Sequence, residues 1–142
     1  MSDLHGYYLE DLEVGMSASY AKTVSESDVY TFAGITGDNN PVHINQEFAE
    51  TTQFKQRIVH GMFSAGLIST VLGTRLPGPG AIYIDQTLKF KAPVFIGDTV
   101  TATATVLEID SRRRRVKLET VCTVNGKVVA TGEATNMVDS RG

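Results

Sequence analysis

Gly61-Met62-Phe63-Ser64-Ala65-Gly66-Leu67-Ile68-Ser69-Thr70-Val71-Leu72-Gly73 decides how the rest of this 142-residue chain is read. The stretch carries no charge, and a helix built from it is apolar or small on nearly every side. Such a helix is expected to be buried all round, and its small residues let neighbouring backbone come close. It is too short to span a bilayer. Downstream, the breaker cluster Pro77-Gly78-Pro79-Gly80 is followed by alternating apolar and polar residues, which predict strands almost to the end. The stretch is therefore read as a core helix wrapped by a sheet.

The strands can be followed outward from there. Ile82, Ile84, Leu88 and Phe90 are predicted to share one face of a strand, with Tyr83, Asp85, Thr87, Lys89 and Lys91 on the other. Pro93 and Ile96-Gly97-Asp98 end it. From Thr99 to Ile109, Val100, Ala102, Ala104 and Val106 alternate with threonines, and the phase shifts at Leu107 as a bulge would shift it. Asp110 to Arg114 reads as a turn, with Arg112–Arg115 as its solvated tip. Val116 to Val124 and Lys127 to Val138 flank Asn125-Gly126, a strong two-residue hairpin signal. On the other side of the helix, residues 1–15 read as an irregular lead-in with a solvated His5, and Ser17 to Val24 as a short strand. Ser25 is a predicted N-cap, with Glu26 and Asp28 in the first turn. Val29, Phe32, Ala33 and Thr36 keep helical spacing, and Gly37 closes the helix. Asn45 is expected to cap a short helix, Gln46 to Glu50, and Thr51 to Val59 to act as a connector.

Composition fits one domain over residues 1–142, long enough to bury a core without disulfides. A net charge of −3 gives no basic footprint for nucleic acid. The single cysteine, Cys122, has no intramolecular disulfide partner and reads as buried filler. A lone thiol suits a reducing compartment, so a cytoplasmic location is expected. Met1 to Asp11 lacks an apolar core and does not read as a signal peptide. No membrane association is expected.

One polar segment stands out. In Gly37-Asp38-Asn39-Asn40-Pro41-Val42-His43-Ile44-Asn45, a carboxylate and an imidazole are five residues apart. On a helix they would point about 140° away from each other. Pro41 disfavours the α region for Asn40, so the segment is placed outside regular structure, where a rigid loop can bring both groups to one small molecule. By itself Asp-Asn-Asn-Pro is ordinary turn chemistry, with Asn40 as turn former.

Taken together, Asp38-Asn39-Asn40-Pro41-Val42-His43, Ile58-Val59-His60-Gly61-Met62, Leu76-Pro77-Gly78-Pro79-Gly80-Ala81-Ile82-Tyr83, Phe90-Lys91-Ala92-Pro93-Val94-Phe95-Ile96-Gly97-Asp98 and Thr131-Gly132-Glu133-Ala134 resemble the MaoC-like (R)-specific enoyl-CoA hydratases of the polyhydroxyalkanoate pathway. The resemblance runs from Val14 onward and implies an α+β hot-dog fold, a curved antiparallel sheet around a central helix. It implies syn hydration of a trans-2-enoyl-CoA to an (R)-3-hydroxyacyl-CoA with neither metal nor redox cofactor, CoA being part of the acyl-CoA thioester substrate. The implied catalytic pair is Asp38 and His43. The implied oxyanion donor is the Gly61 N–H, and the implied polar helix residue near the pair is Ser69. His60 is expected to position Gly61 and stays outside the catalytic set. By analogy Leu72 and the last strand line an acyl tunnel, and the protein is a homodimer. The competing readings are a dehydratase acting on acyl carrier protein substrates, a hot-dog thioesterase, and a non-catalytic acyl-CoA-binding subunit.

Overall fold

The computed structural model describes residues 3–142. Its chain order is β1 (Ser17–Thr23), α1 (Glu26–Thr36), α2 (Pro41–Ile44), α3 (Gln46–Glu50), α4 (Gly61–Thr74), β2 (Ile82–Gln86), β3 (Lys89–Phe90), β4 (Thr99–Asp110), β5 (Arg115–Val124) and β6 (Lys127–Met137). The six strands form one antiparallel sheet in the order β1-β4-β5-β6-β2, with β3 also paired to β6. β1 and β2 are its edges.

Period-two patterning explains which face carries the helix. Val100, Ala102, Ala104 and Val106 on β4 and Val116, Leu118 and Cys122 on β5 are buried. Leu67, Ile68, Val71 and Leu72 of α4 join them in one core cluster running from Leu9 to Val138. On the opposite face, Ser19 and Thr23 pair hydroxyl to hydroxyl with Thr103 and Thr99, each at 2.7 Å. Alanines at 102 and 104 leave room for α4 to lie close on the sheet, consistent with small side chains at a helix–sheet contact. Burial pushes the Cys122 thiol up to about 11, in keeping with an inert filler. The register shifts between Val106 and Glu108, at the predicted phase change, and Asn125 (φ 50°) and Gly126 (φ 78°) make the predicted hairpin turn.

Several expectations need correction. The α4 helix is not buried all round. Met62, Gly66, Ser69 and Gly73 lie on its exposed side, because one sheet covers one face and none of the described residues covers the other. The strand after Gly80 is broken between β2 and β3, and its apolar face is open: Ile82 is 52% exposed, Ile84 45% and Phe90 53%. Its position at the sheet edge, beyond β6, explains why alternation did not lead to burial. The N-terminal lead-in is part of the core. Leu9 and Leu12 are buried, Leu9 N–H donates to Asp139 O at 2.8 Å, and His5 is not solvated but stacks on Tyr8 and pairs with Asp139 at 3.0 Å.

Candidate active site

The first helix delivers the chain to the site. Ser25 Oγ accepts from Asp28 N–H, and Asp28 Oδ2 accepts from Ser25 N–H, a capping box that fixes the start of α1. Gly37 (φ 81°) ends it in the left-handed conformation, its N–H donating to Ala33 O at 2.9 Å. The sharp exit places Asp38 at a cavity mouth, with its N–H on Thr36 Oγ1 at 3.1 Å.

The segment predicted as irregular contains a turn of helix. Asn40 keeps a non-helical backbone (φ −50°, ψ 127°), as a residue before proline should, but its Oδ1 accepts from Val42 N–H at 3.1 Å and caps α2, with Pro41 at its first turn. Proline is suited to that position, where its missing N–H costs nothing. His43 therefore rides on a helical turn while Asp38 stays outside it, so the opposed directions of one continuous helix do not apply. Asn45 caps α3 through Phe48 N–H, as expected.

Two carbonyls fix the imidazoles. His43 Nδ1 lies 2.7 Å from Ile58 O, and a carbonyl only accepts. Nδ1 thus carries the hydrogen, and in the neutral ring Nε2 is a bare acceptor. Val59 N–H on Val94 O at 2.7 Å holds this part of the connector. Burial pushes the His43 imidazole below its ordinary value. The Ile58 bond and the charge of Asp38 pull it upward, and His60 adds to the depression. His60 is 2% exposed and His43 8%. Their rings stack with centroids 3.8 Å apart and planes 27° apart. The His60 side chain does not cap α4; its Nε2 reaches back to Asp38 O at 2.8 Å.

Donor atoms of Asp38, His43 and His60 lie within 4.8 Å of one another, a spacing a metal ion could use. Two ring nitrogens are already engaged, His43 Nδ1 by Ile58 O and His60 Nε2 by Asp38 O. The free Nε2 of His43 and the Asp38 carboxylate are also suited to holding a water molecule.

A cavity of about 430 Å³ is lined by Asp38, His43, His60, Gly61, Ser64 and Phe90, among others. Gly61 opens α4, where N–H groups have no acceptor within the helix and the helix dipole favours negative charge. A Cβ built on Gly61 would meet Phe90 Cε1 at 2.8 Å, so the glycine lets that ring close over the helix start. Ser69 is elsewhere. It lines a second cavity, about 650 Å³, with Thr36, Gly66, Tyr83 and Gln86, and among the described residues Asp38 and Met62 border both. Leu72, expected in a tunnel, is fully buried and lines neither. Three of the four predicted site residues thus share one cavity, and Ser69 is joined to them through Asp38. Sequence reasoning kept His60 out of the catalytic set and gave Phe90 no role. Neither had a local signal, because their partners are 17 to 29 positions away.

Comparison with known proteins gives a consistent result. A family model described as a MaoC like domain matches residues 11–128. An (R)-specific enoyl-CoA hydratase of Rhodospirillum rubrum is 63% identical over 140 residues, 99% of this chain and 97% of that protein. A 3-hydroxybutyryl-CoA dehydratase of Methylorubrum extorquens is 54% identical over 134 residues, 94% of this chain and 85% of that one. The solved (R)-hydratase from Aeromonas caviae involved in PHA biosynthesis superposes with a TM-score of 0.88 at 42% identity, over 91% of this chain and 98% of that one.

Proposed function

This chain belongs to the MaoC-like family, and on that premise we propose that it is an (R)-specific enoyl-CoA hydratase. It adds water syn to a trans-2-enoyl-CoA and releases an (R)-3-hydroxyacyl-CoA, running the same equilibrium backwards as a dehydratase. The observation that carries the site assignment is the meeting of the Asp38 carboxylate, the bare His43 Nε2 and the first N–H of α4 around one cavity.

In this reading Asp38 and His43 hold one water molecule between them. As its oxygen bonds to C3, the pair takes one of its protons, and the electron pair displaced from the C2–C3 double bond runs onto the thioester oxygen. Gly61 N–H faces that charge without reorganising. A proton returned from the pair to C2 on the same face completes the addition. His43 Nε2 is suited to the first transfer because burial keeps the ring's protonated form disfavoured. Water is added without net oxidation, so the chemistry calls for no redox cofactor, and a water held between a carboxylate and an imidazole needs no metal to give up its proton.

Ser69 offers a hydroxyl to the substrate from the second cavity, because that hydroxyl has no hydrogen-bond partner among the described residues. The open face of α4 and the exposed edge strand β2 support a homodimer with these surfaces covered. Among the described residues no helix is long and apolar enough to cross a membrane. The lone buried thiol favours a reducing cytoplasm, and polyhydroxyalkanoate supply fits the likeness to the Aeromonas protein.

The test is loss of conjugated-enoyl absorbance from trans-2-butenoyl-CoA, with chiral analysis of the product. The expected product is (R)-3-hydroxybutyryl-CoA. Absence of hydration across short and long enoyl-CoAs would sink the reading, and release of free thiol from saturated acyl-CoA would replace it with a thioesterase.

A further inference from the structure

We infer that His60 is a positioning residue for the hydration step, fixing the Asp38 main chain and the plane of the His43 ring relative to the start of α4. The inference rests on the hydratase reading. His43 is held at one atom, Nδ1, by the Ile58 carbonyl. One hydrogen bond fixes that atom but leaves the ring able to swing about the bond, and any swing re-aims Nε2. A face-to-face contact at 3.8 Å with His60 removes that freedom.

Asp38 is held in the same way from its other side. Its N–H is tied to Thr36 Oγ1, and its carbonyl accepts from His60 Nε2–H at 2.8 Å. The His60 ring also meets Phe32 of α1 at 4.7 Å, and Phe32 meets Phe63 of α4 at 6.2 Å. The ring is therefore braced between the helix that delivers Asp38 and the helix that offers Gly61. Along the chain His60 directly precedes Gly61. One residue thus links all three proposed catalytic groups, two through its side chain and Gly61 through the main chain.

The bland alternative is a histidine that merely fills the core. His60 Nδ1 is buried without a hydrogen-bond partner, a destabilising arrangement that phenylalanine or leucine at the same place would avoid. What an imidazole supplies and those residues do not is the Nε2–H aimed at Asp38. Reacting groups must be held closely, and a misplacement of about 1 Å costs on the order of 10²-fold in rate.

The experiment compares His60→Leu, which fills space without a donor, with His60→Gln, whose side-chain amide carries N–H close to the Nε2 position. Steady-state kinetics on trans-2-butenoyl-CoA, thermal unfolding and ¹⁵N-histidine NMR are read on the same samples. In His60→Leu we expect kcat to fall about 10²-fold with KM near wild type. In His60→Gln we expect kcat to recover to within about tenfold of wild type. Unchanged kcat in His60→Leu, equal losses in the two variants, or a loss carried by KM would each overturn the inference. If His60→Leu does not fold, His60→Gln and the wild-type spectrum decide. That spectrum should show His43 protonated at Nδ1 and His60 at Nε2, and the reversed tautomer at His60 would overturn the inference. It needs no turnover, so the two failures separate. Inactive wild type removes the hydratase reading and the positioning role with it, whereas active wild type with the tautomer reversed removes the positioning role alone.

Discussion

The two cavities on either side of Asp38 are built differently. On one side, His43, His60 and Gly61 are held by carbonyl bonds, ring stacking and a helix start, all from this one chain. On the other, Ser69 and Gly66 look out from the uncovered face of α4 towards Tyr83 and Gln86 on the edge strand. Ile82 and Ile84 stand exposed beside them. The groups proposed to move protons are fixed in advance of substrate, while the surface beyond them is left for something else to cover. Preorganisation is where rate comes from, whereas an open apolar edge marks a place for association.

Perturbing the fixed side should have the largest effects. Asp38→Asn and His43→Gln are each expected to lower kcat/KM for enoyl-CoA hydration by about 10²–10⁴-fold with little change in thermal unfolding. Near-wild-type turnover in either would show that the ordered side is scaffolding. Gly61→Val comes next. Its side chain must push the Phe90 ring, whose Cε1 lies 2.8 Å from a Cβ at this position, into the cavity and away from the helix start. A loss of about 10²–10³-fold is expected, the range for a lost oxyanion donor, and Phe90→Ala in the same chain should recover part of it. No recovery would mean that the ring is not what the glycine accommodates.

The open side should answer in assembly before it answers in rate. Ile84→Asp is expected to convert a dimer to monomer in sedimentation velocity at micromolar concentration. A wild-type chain already monomeric there would break the comparison, because the exposed edge would need no cover. The pH profile gives a smaller effect with a definite sign. Burial disfavours the imidazolium of His43, so its folded value lies below the ordinary value of about 6.5. The base form is present above that depressed value and is lost as pH falls through it. The acid limb of kcat/KM should therefore lie below about 6.5, and a limb above it would contradict burial as the leading cause. Ser69→Ala is the mildest change. A few-fold rise in KM with kcat nearly intact is expected, on the order of one modest hydrogen bond, and a collapse of kcat would move Ser69 to the fixed side.

Much of this was legible along the sequence. The ends of α1 were readable because a capping box and a left-handed glycine involve residues within a few positions of each other. The hairpin at Asn125-Gly126 and the phase shift at Leu107 were readable for the same reason. Within the site, Asp38 and His43 were visible as a pair, although the turn of helix beneath His43 was not, since Pro41 reads equally as a stop or as a first helical residue. The exposed side of α4 was not legible. Small and apolar composition reports that a helix can be buried on every side, not that its own chain supplies enough surface to bury it.

By itself the sequence determined the local geometry: where helices begin and end, where the hairpin turns, and which carboxylate and imidazole are offered together. Those outcomes depend on backbone sterics and hydrogen bonds between near neighbours. Only the tertiary structure decided that His60 reaches Asp38 and stacks on His43, that Phe90 covers Gly61, and that β2 ends up at an open edge. Each depends on strand order and on a connector tied to Val94. No residue's own preferences encode such contacts, because they arise from how the sheet and helices pack around a shared core.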